Sequence, residues 1–164
     1  MVDSATLQAH SLFGGLSPEQ MAVVKPLMGS ATFNEGDIII PEGTPNDSIY
    51  FIVDGRVAIS RGGVRITELP EGQTFGEMEL LDVMPSVATV SAVSAVRVVT
   101  ISNRSIRAIY GSDTKAFGIL MMNLARDLSR RLRRMDEIVC DTPVNREFAR
   151  SASTVKPVDD PTLG

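Results

Sequence analysis

The chain has 164 residues, room for one domain of roughly 120 to 140 residues and a tail. With 43% apolar and 22% charged residues it has the composition of an ordinary folded protein, and no run approaches the roughly 18 uninterrupted apolar residues that a membrane-spanning helix requires. A net charge of -4 speaks against a surface built throughout for nucleic acid, which demands a basic field.

Residues 1–11 read as a flexible N-terminal arm. Met1 to Ala9 shows no basic stretch followed by an apolar core, so no secretory signal is expected and the chain is placed in the cytoplasm. The single cysteine, Cys140, cannot close a disulfide within the chain, which agrees with a reducing compartment and reads as a spectator thiol. The first helix is expected over Leu16 to Met28. Ser17 caps it, Pro18 takes the first helical position and Gln20 completes a capping box, while Leu16 and Met21 occupy the positions of a hydrophobic staple.

From Ala31 to Ile101 short β-branched and aromatic runs alternate with glycine, proline and aspartate. The expected strands are Ala31 to Phe33, Ile38 to Pro41, Ser48 to Asp54, Arg56 to Arg61, Val64 to Leu69, Thr74 to Phe75, Ser86 to Ala92 and Val96 to Ser102. Asp54-Gly55 between two apolar runs predicts a hairpin, because a two-residue primed turn needs positive φ. Arg61-Gly62-Gly63 predicts the next. Many short strands at this spacing suggest an antiparallel sandwich or barrel-like roll.

Ser102 then caps a short helix ending near Gly111. A longer helix is expected from Asp113 to about Val139, where Phe117, Met121, Leu124, Leu128, Leu132, Met135 and Val139 form an apolar stripe. Five arginines, Arg126, Arg130, Arg131, Arg133 and Arg134, make this segment locally basic. Residues 141–164 contain three prolines and little periodicity, and read as a flexible tail.

The informative stretch is Glu71 to Val90. Phe75-Gly76-Glu77-Met78-Glu79-Leu80-Leu81 reads as a strand end running into one short helical turn, where a glycine admits close backbone approach and free N–H groups attract an anion such as a phosphate. A carboxylate at Glu77 would repel a phosphate unless it accepts hydrogen bonds from a sugar hydroxyl instead. Taken alone, the stretch also reads as a turn carrying an exposed acid.

The wider pattern resembles the cyclic nucleotide-binding domain family of catabolite-activator-type regulators, kinase regulatory subunits and gated channels. The resemblance runs from about Leu12 to Val139 and rests on Phe33-Asn34-Glu35-Gly36-Asp37, Pro41-Glu42-Gly43, Asp47-Ser48-Ile49-Tyr50-Phe51-Ile52, Asp54-Gly55-Arg56-Val57 and Phe75-Gly76-Glu77. It implies a mainly β fold with flanking helices, a double-stranded β-helix or jelly-roll-like β-roll, over residues 12–140. It implies cAMP or cGMP as ligand. By the same resemblance Gly76 to Thr89 forms the phosphate-binding cassette, including Glu79, Leu80, Ser86, Val87 and Thr89. Glu77 would accept the ribose 2′-hydroxyl, and the backbone N–H groups near Gly76, Glu77 and Met78 would approach the cyclic phosphate.

One departure stands out. The family pattern places arginine immediately after the cassette proline, whereas here Pro85 is followed by Ser86. A charge-assisted hydrogen bond to phosphate contributes on the order of 1.5 to 3 kcal/mol, so its loss weakens binding by about tenfold to more than a hundredfold. Ser86 offers one neutral hydrogen bond in exchange, and Val87 only its backbone N–H. In the long helix, Met135 and Asp136 fall where catabolite-activator-type proteins carry hydroxyl residues over the base. Arg130, Arg131, Arg134 and Met135 are the candidates for a lid.

Other classes fit less well. A cupin-type metal centre needs clustered histidines, and the chain has one, His10, ahead of the expected domain. No nucleophile elbow or Walker-type loop is present, so no catalysis is expected. After Asp141 there is neither the length nor the periodicity for a recognition helix, so no direct sequence-specific DNA binding is expected. Two readings remain: a cyclic-nucleotide sensor, or a ligand-independent interaction and dimerisation module on the same scaffold. In both, the apolar stripe is expected to pair two protomers into a homodimer that signals to an effector protein.

Overall fold

The capping box forms as its sequence dictates. The Ser17 Oγ accepts from the Gln20 N–H at 3.3 Å, and the Gln20 Oε1 accepts from the Ser17 N–H at 2.9 Å. The structure is a computed structural model describing residues 7, 10–78 and 84–140, the last three by backbone alone. Helix α1 spans Pro18–Val24 and tightens into a 3-10 turn at Lys25–Leu27, where Pro26 has no N–H to give and its ring crowds the preceding turn. The helix expected within Leu16 to Met28 is therefore divided. Leu16 and Met21, the two staple residues, are both buried.

Eight strands follow among the described residues: β1 Gly29–Phe33, β2 Ile38–Ile40, β3 Ser48–Asp54, β4 Arg56–Arg61, β5 Val64–Pro70, β6 Thr74–Phe75, β7 Thr89–Ala92 and β8 Val96–Ser102. They form two four-stranded antiparallel sheets, ordered β1-β8-β3-β6 and β2-β7-β4-β5. The inner faces meet in one core. Ile52, Phe75, Val96 and Val98 come from the first sheet, and Ile40, Val57, Leu69, Val90 and Ala92 from the second. This is the mainly β roll with flanking helices that the sequence predicts.

Two local expectations change. The Gly62-Gly63 turn closes the β4–β5 hairpin, with Arg61 opposite Val64. Asp54-Gly55 makes no hairpin, because β3 pairs with β6 and β8 while β4 pairs with β5 and β7. Gly55 does take positive φ, +90°, but it turns the chain from one sheet into the other; a Cβ there would lie 2.2 Å from the Ala95 carbonyl oxygen. Strand β7 also starts three residues later than expected. The backbone of Ser86 is instead held by the preceding loop, its N–H donating to the Thr44 O at 2.9 Å and its O accepting from the Gly43 N–H at 2.7 Å.

Helix α2, Asn103–Ser112, is capped by Ser102, whose Oγ accepts from the Ser105 N–H at 3.1 Å. Helix α3, Thr114–Cys140, starts on Asp113, whose Oδ1 accepts from the Lys115 and Ala116 N–H groups. The chain divides into two units, Met1–Asn123 and Leu124–Gly164. In the first, Asn123 Nδ2 donates to the Leu12 and Gly14 carbonyls and fixes the N-terminal segment. Residues 1–11 were expected to be a flexible arm, yet Leu7 and His10 are buried. Aromatic packing explains this: the His10 ring lies 3.8 Å from that of Phe51, its Nδ1 accepts from the Leu12 N–H, and its Nε2 meets the Gly72 carbonyl. In the second unit the apolar stripe surfaces, with Leu132 63% and Met135 58% exposed. The expected tail, residues 141–164, lies outside the described residues. No helix among the described residues is long and apolar enough to cross a membrane.

Candidate functional site

The site begins where β6 ends. The Phe75 ring stacks on Tyr50 with centroids 4.8 Å apart and planes 3° from parallel, which anchors the end of the strand in the core. Gly76 follows at φ +79°, the left-handed region that glycine alone enters freely. Three walls close around it: a Cβ would stand 2.7 Å from the Ser48 O, 2.8 Å from Asn46 Nδ2 and 2.9 Å from Tyr50 Cδ2. The Gly76 carbonyl accepts from Asn46 Nδ2 at 2.9 Å.

Glu77 is 1% exposed, so the reading of this stretch as a turn with an exposed acid does not hold. Burying a carboxylate is costly, and a fold that does so beside a glycine closed in by the Ser48 carbonyl and the Asn46 and Tyr50 side chains has built something other than a surface turn. Met78, the next residue, is exposed. Glu79 and Leu80 lie outside the described residues, as does the rest of the expected helical turn through residue 83.

The far end of the cassette is described again from residue 84. Ser86 is 4% exposed, and its Oγ donates to the Ala88 O at 2.8 Å. The hydroxyl proton offered by the sequence as a substitute phosphate contact is thus committed within the loop. Val87 is exposed, and Thr89 Oγ1 accepts from the Glu42 N–H at 3.1 Å. Of the predicted residues, Gly76, Glu77, Ser86 and Thr89 are held by bonds or burial in the first unit. Arg130, Arg131, Arg134 and Met135 belong to the second, where Arg130 pairs with Asp127 at 2.9 Å and Arg134 is exposed.

Sequence reasoning quoted Pro41-Glu42-Gly43 for the resemblance but gave the loop 41–47 no part in the site. It bonds the Ser86 backbone through Gly43 and Thr44 and the Gly76 carbonyl through Asn46. Its turn-forming residues mark a loop, but nothing in their spacing names its partners. A separate depression of about 590 Å³ is lined by Gly55, Arg56, Glu68, Pro70, Glu71, Val93 and Ser94, with Arg56 paired to Glu68 at 3.3 Å. It contains no cassette residue. Among the described residues no group of three or more His, Cys, Asp or Glu is arranged to hold a metal ion.

With this geometry in view, the comparisons with known proteins are direct. The family model described as "Cyclic nucleotide-binding domain" matches residues 31–113, just over half of the chain. The chain belongs to that family. A cAMP-dependent protein kinase regulatory subunit of Hypocrea atroviridis is 30% identical over 105 residues, which is 64% of this chain and 23% of that protein. The CRP-like cAMP-activated global transcriptional regulator of Mycobacterium tuberculosis is 26% identical over 140 residues, 82% of this chain and 61% of that protein. The chain therefore spans about a quarter of the fungal subunit and less than two thirds of the mycobacterial regulator. A solved cyclic nucleotide-binding domain from Methylobacillus flagellatus shares the fold, with TM-score 0.74 at 22% identity over 84% of this chain and 81% of that one. The family match covers every described cassette residue from Gly76 to Thr89.

Proposed function

We propose that this chain is a non-enzymatic sensor domain that takes cAMP or cGMP with reduced affinity, and that it reports to an effector protein through a homodimer formed along α3. One observation carries the reading: a buried carboxylate, Glu77, directly follows a left-handed glycine closed in by the Ser48 carbonyl and the Asn46 and Tyr50 side chains, while Ser86 stands where the family pattern has arginine. The carboxylate suits a ribose hydroxyl and the glycine suits close approach of a phosphate. Ser86 contributes no charge, and its proton already serves Ala88. The names of the kinase and mycobacterial relatives, cAMP-dependent and cAMP-activated, favour cAMP as the first ligand to test.

The dimer is supported by the exposure of Leu132 and Met135 on successive turns of the second unit. The absence of catalysis is supported by the engagement of His10, whose ring packs at a tilt against Phe51 and whose two nitrogens both face backbone groups. A cytoplasmic location fits the single cysteine, Cys140. Isothermal titration with cAMP and cGMP tests the central reading: binding weaker than about 10 μM is expected, and tighter binding overturns the role given to Ser86. The committed Ser86 hydroxyl also favours a second reading, an interaction module that works without ligand. Saturable nucleotide binding at any affinity that shifts the melting temperature argues against that alternative.

A further inference from the structure

The loop 41–47 reaches both ends of the cassette, and it does so differently at each. At Ser86 the bonds are backbone to backbone, through Gly43 and Thr44. At Gly76 the bond is made by a side chain: Asn46 Nδ2 donates to the Gly76 O at 2.9 Å and to the Ser48 O at 2.7 Å, while Asn46 Oδ1 accepts from the Ser48 N–H at 3.3 Å. Only a carboxamide offers two donors and an acceptor on so short a stem.

The consequence lies on the other edge of the same peptide. A trans peptide carries its C=O and its following N–H on opposite sides, and the described chain contains no cis bond. Holding the Gly76 carbonyl toward Asn46 therefore turns the Glu77 N–H away from it. A glycine at φ +79° has little intrinsic preference to fix that peptide plane, since it lacks the Cβ that restricts other residues. Resting on the reading of the cassette as an anion site, we propose that Asn46 is a positioning residue: it fixes the direction of the Glu77 amide and so sets the affinity for a cyclic phosphate. With serine at position 86 in place of a cation, the burden of holding the phosphate shifts toward the backbone amides, and their aim matters more.

The test uses the full chain carrying Ser86→Arg, into which Asn46→Ala and Asn46→Asp are introduced. Aspartate keeps the shape but has no donor and sets a carboxylate against two carbonyl oxygens. Titration with cAMP is expected to show about a tenfold loss for Asn46→Ala and a larger one for Asn46→Asp. Amide hydrogen exchange followed by NMR is expected to show the Glu77 N–H altered by tenfold or more in both, with β3 and β8 amides still protected. Ser17→Ala serves as a control that lowers stability away from the cassette and leaves cAMP affinity unchanged. Asn46→Ala is the milder change and carries the test alone where Asn46→Asp does not fold. Unchanged affinity together with an unchanged Glu77 amide overturns the role of Asn46. If the Ser86→Arg parent does not bind cAMP, the functional reading falls, while exchange at Glu77 still decides whether Asn46 orients that peptide.

Discussion

Ser86→Arg tests whether a positive charge at position 86 is what the proposed site lacks. In the native chain the Ser86 Oγ gives its proton to the Ala88 O at 2.8 Å in a buried setting. Arginine removes that bond and leaves the Ala88 carbonyl to find another donor, which costs about 1 to 3 kcal/mol of stability without ligand. The position of residue 86 does not depend on that side chain. Its N–H and O are bonded to Thr44 and Gly43 at 2.9 and 2.7 Å, so the guanidinium starts from a fixed point. With nucleotide bound, one charge-assisted contact returns on the order of 1.5 to 3 kcal/mol, or about tenfold to more than a hundredfold in affinity. The variant is therefore expected to melt at a lower temperature than the native chain without ligand, yet bind cAMP at least tenfold more tightly. At a free concentration one hundred times its Kd, cAMP should stabilise it by about 2.7 kcal/mol. Calorimetric titration and thermal melts on both proteins read these two effects separately. Equal affinity in the two proteins would refute the claim that charge is what the cassette lacks.

Three further outcomes follow from the geometry. Gly55→Ala should lose about 2 kcal/mol or more in chemical denaturation, because its φ is +90° and the new Cβ meets the Ala95 carbonyl at 2.2 Å; a loss under about 0.5 kcal/mol contradicts the crowding. Ser17→Ala removes the side-chain acceptor for the Gln20 N–H and should cost about 1 kcal/mol, read as a lower urea midpoint with unchanged slope. Light scattering after gel filtration should find the native chain dimeric and the Leu132→Asp, Met135→Asp double variant monomeric, whereas a native monomer at micromolar concentration removes the helix-pairing proposal.

Local chemistry wrote the elements of the fold legibly. Strands β3, β4, β6 and β8 have the bounds their β-branched runs predict, and Ser17 and Ser102 cap the helices their positions predict. Asp54-Gly55 shows where local reading stops. The need for positive φ is visible in the dipeptide, but whether the turn folds back as a hairpin or crosses to a second sheet depends on distant strands, since β3 pairs with β6 and β8 and β4 with β5 and β7. The N-terminal segment fails for the same reason. Nothing in His10 announces that Phe51 will pack against its ring or that the Gly72 carbonyl will meet its Nε2, and contacts with such distant residues hold this part of an apparent arm in the packed unit.

In the site, what was legible depended on backbone and what was hidden depended on distant partners. The close packing around Gly76 follows from a glycine at a strand end, which admits close approach. The burial of Glu77 does not, because an acid at a turn is ordinarily solvated, and only the surrounding fold can enclose it. Asn46 was invisible since its bond to Gly76 spans thirty positions. The burial of Glu77 and the reach of Asn46 both fall at the candidate site, where local rules are expected to be broken. Their arrangement also explains why one residue can carry the proposed loss of affinity. The loop grips residue 86 by its backbone and residue 76 by its carbonyl, so neither hold depends on which side chain occupies position 86. Residues 76 and 86 keep these holds with serine in place, so a single arginine at position 86 tests the proposed need for charge without moving either of them.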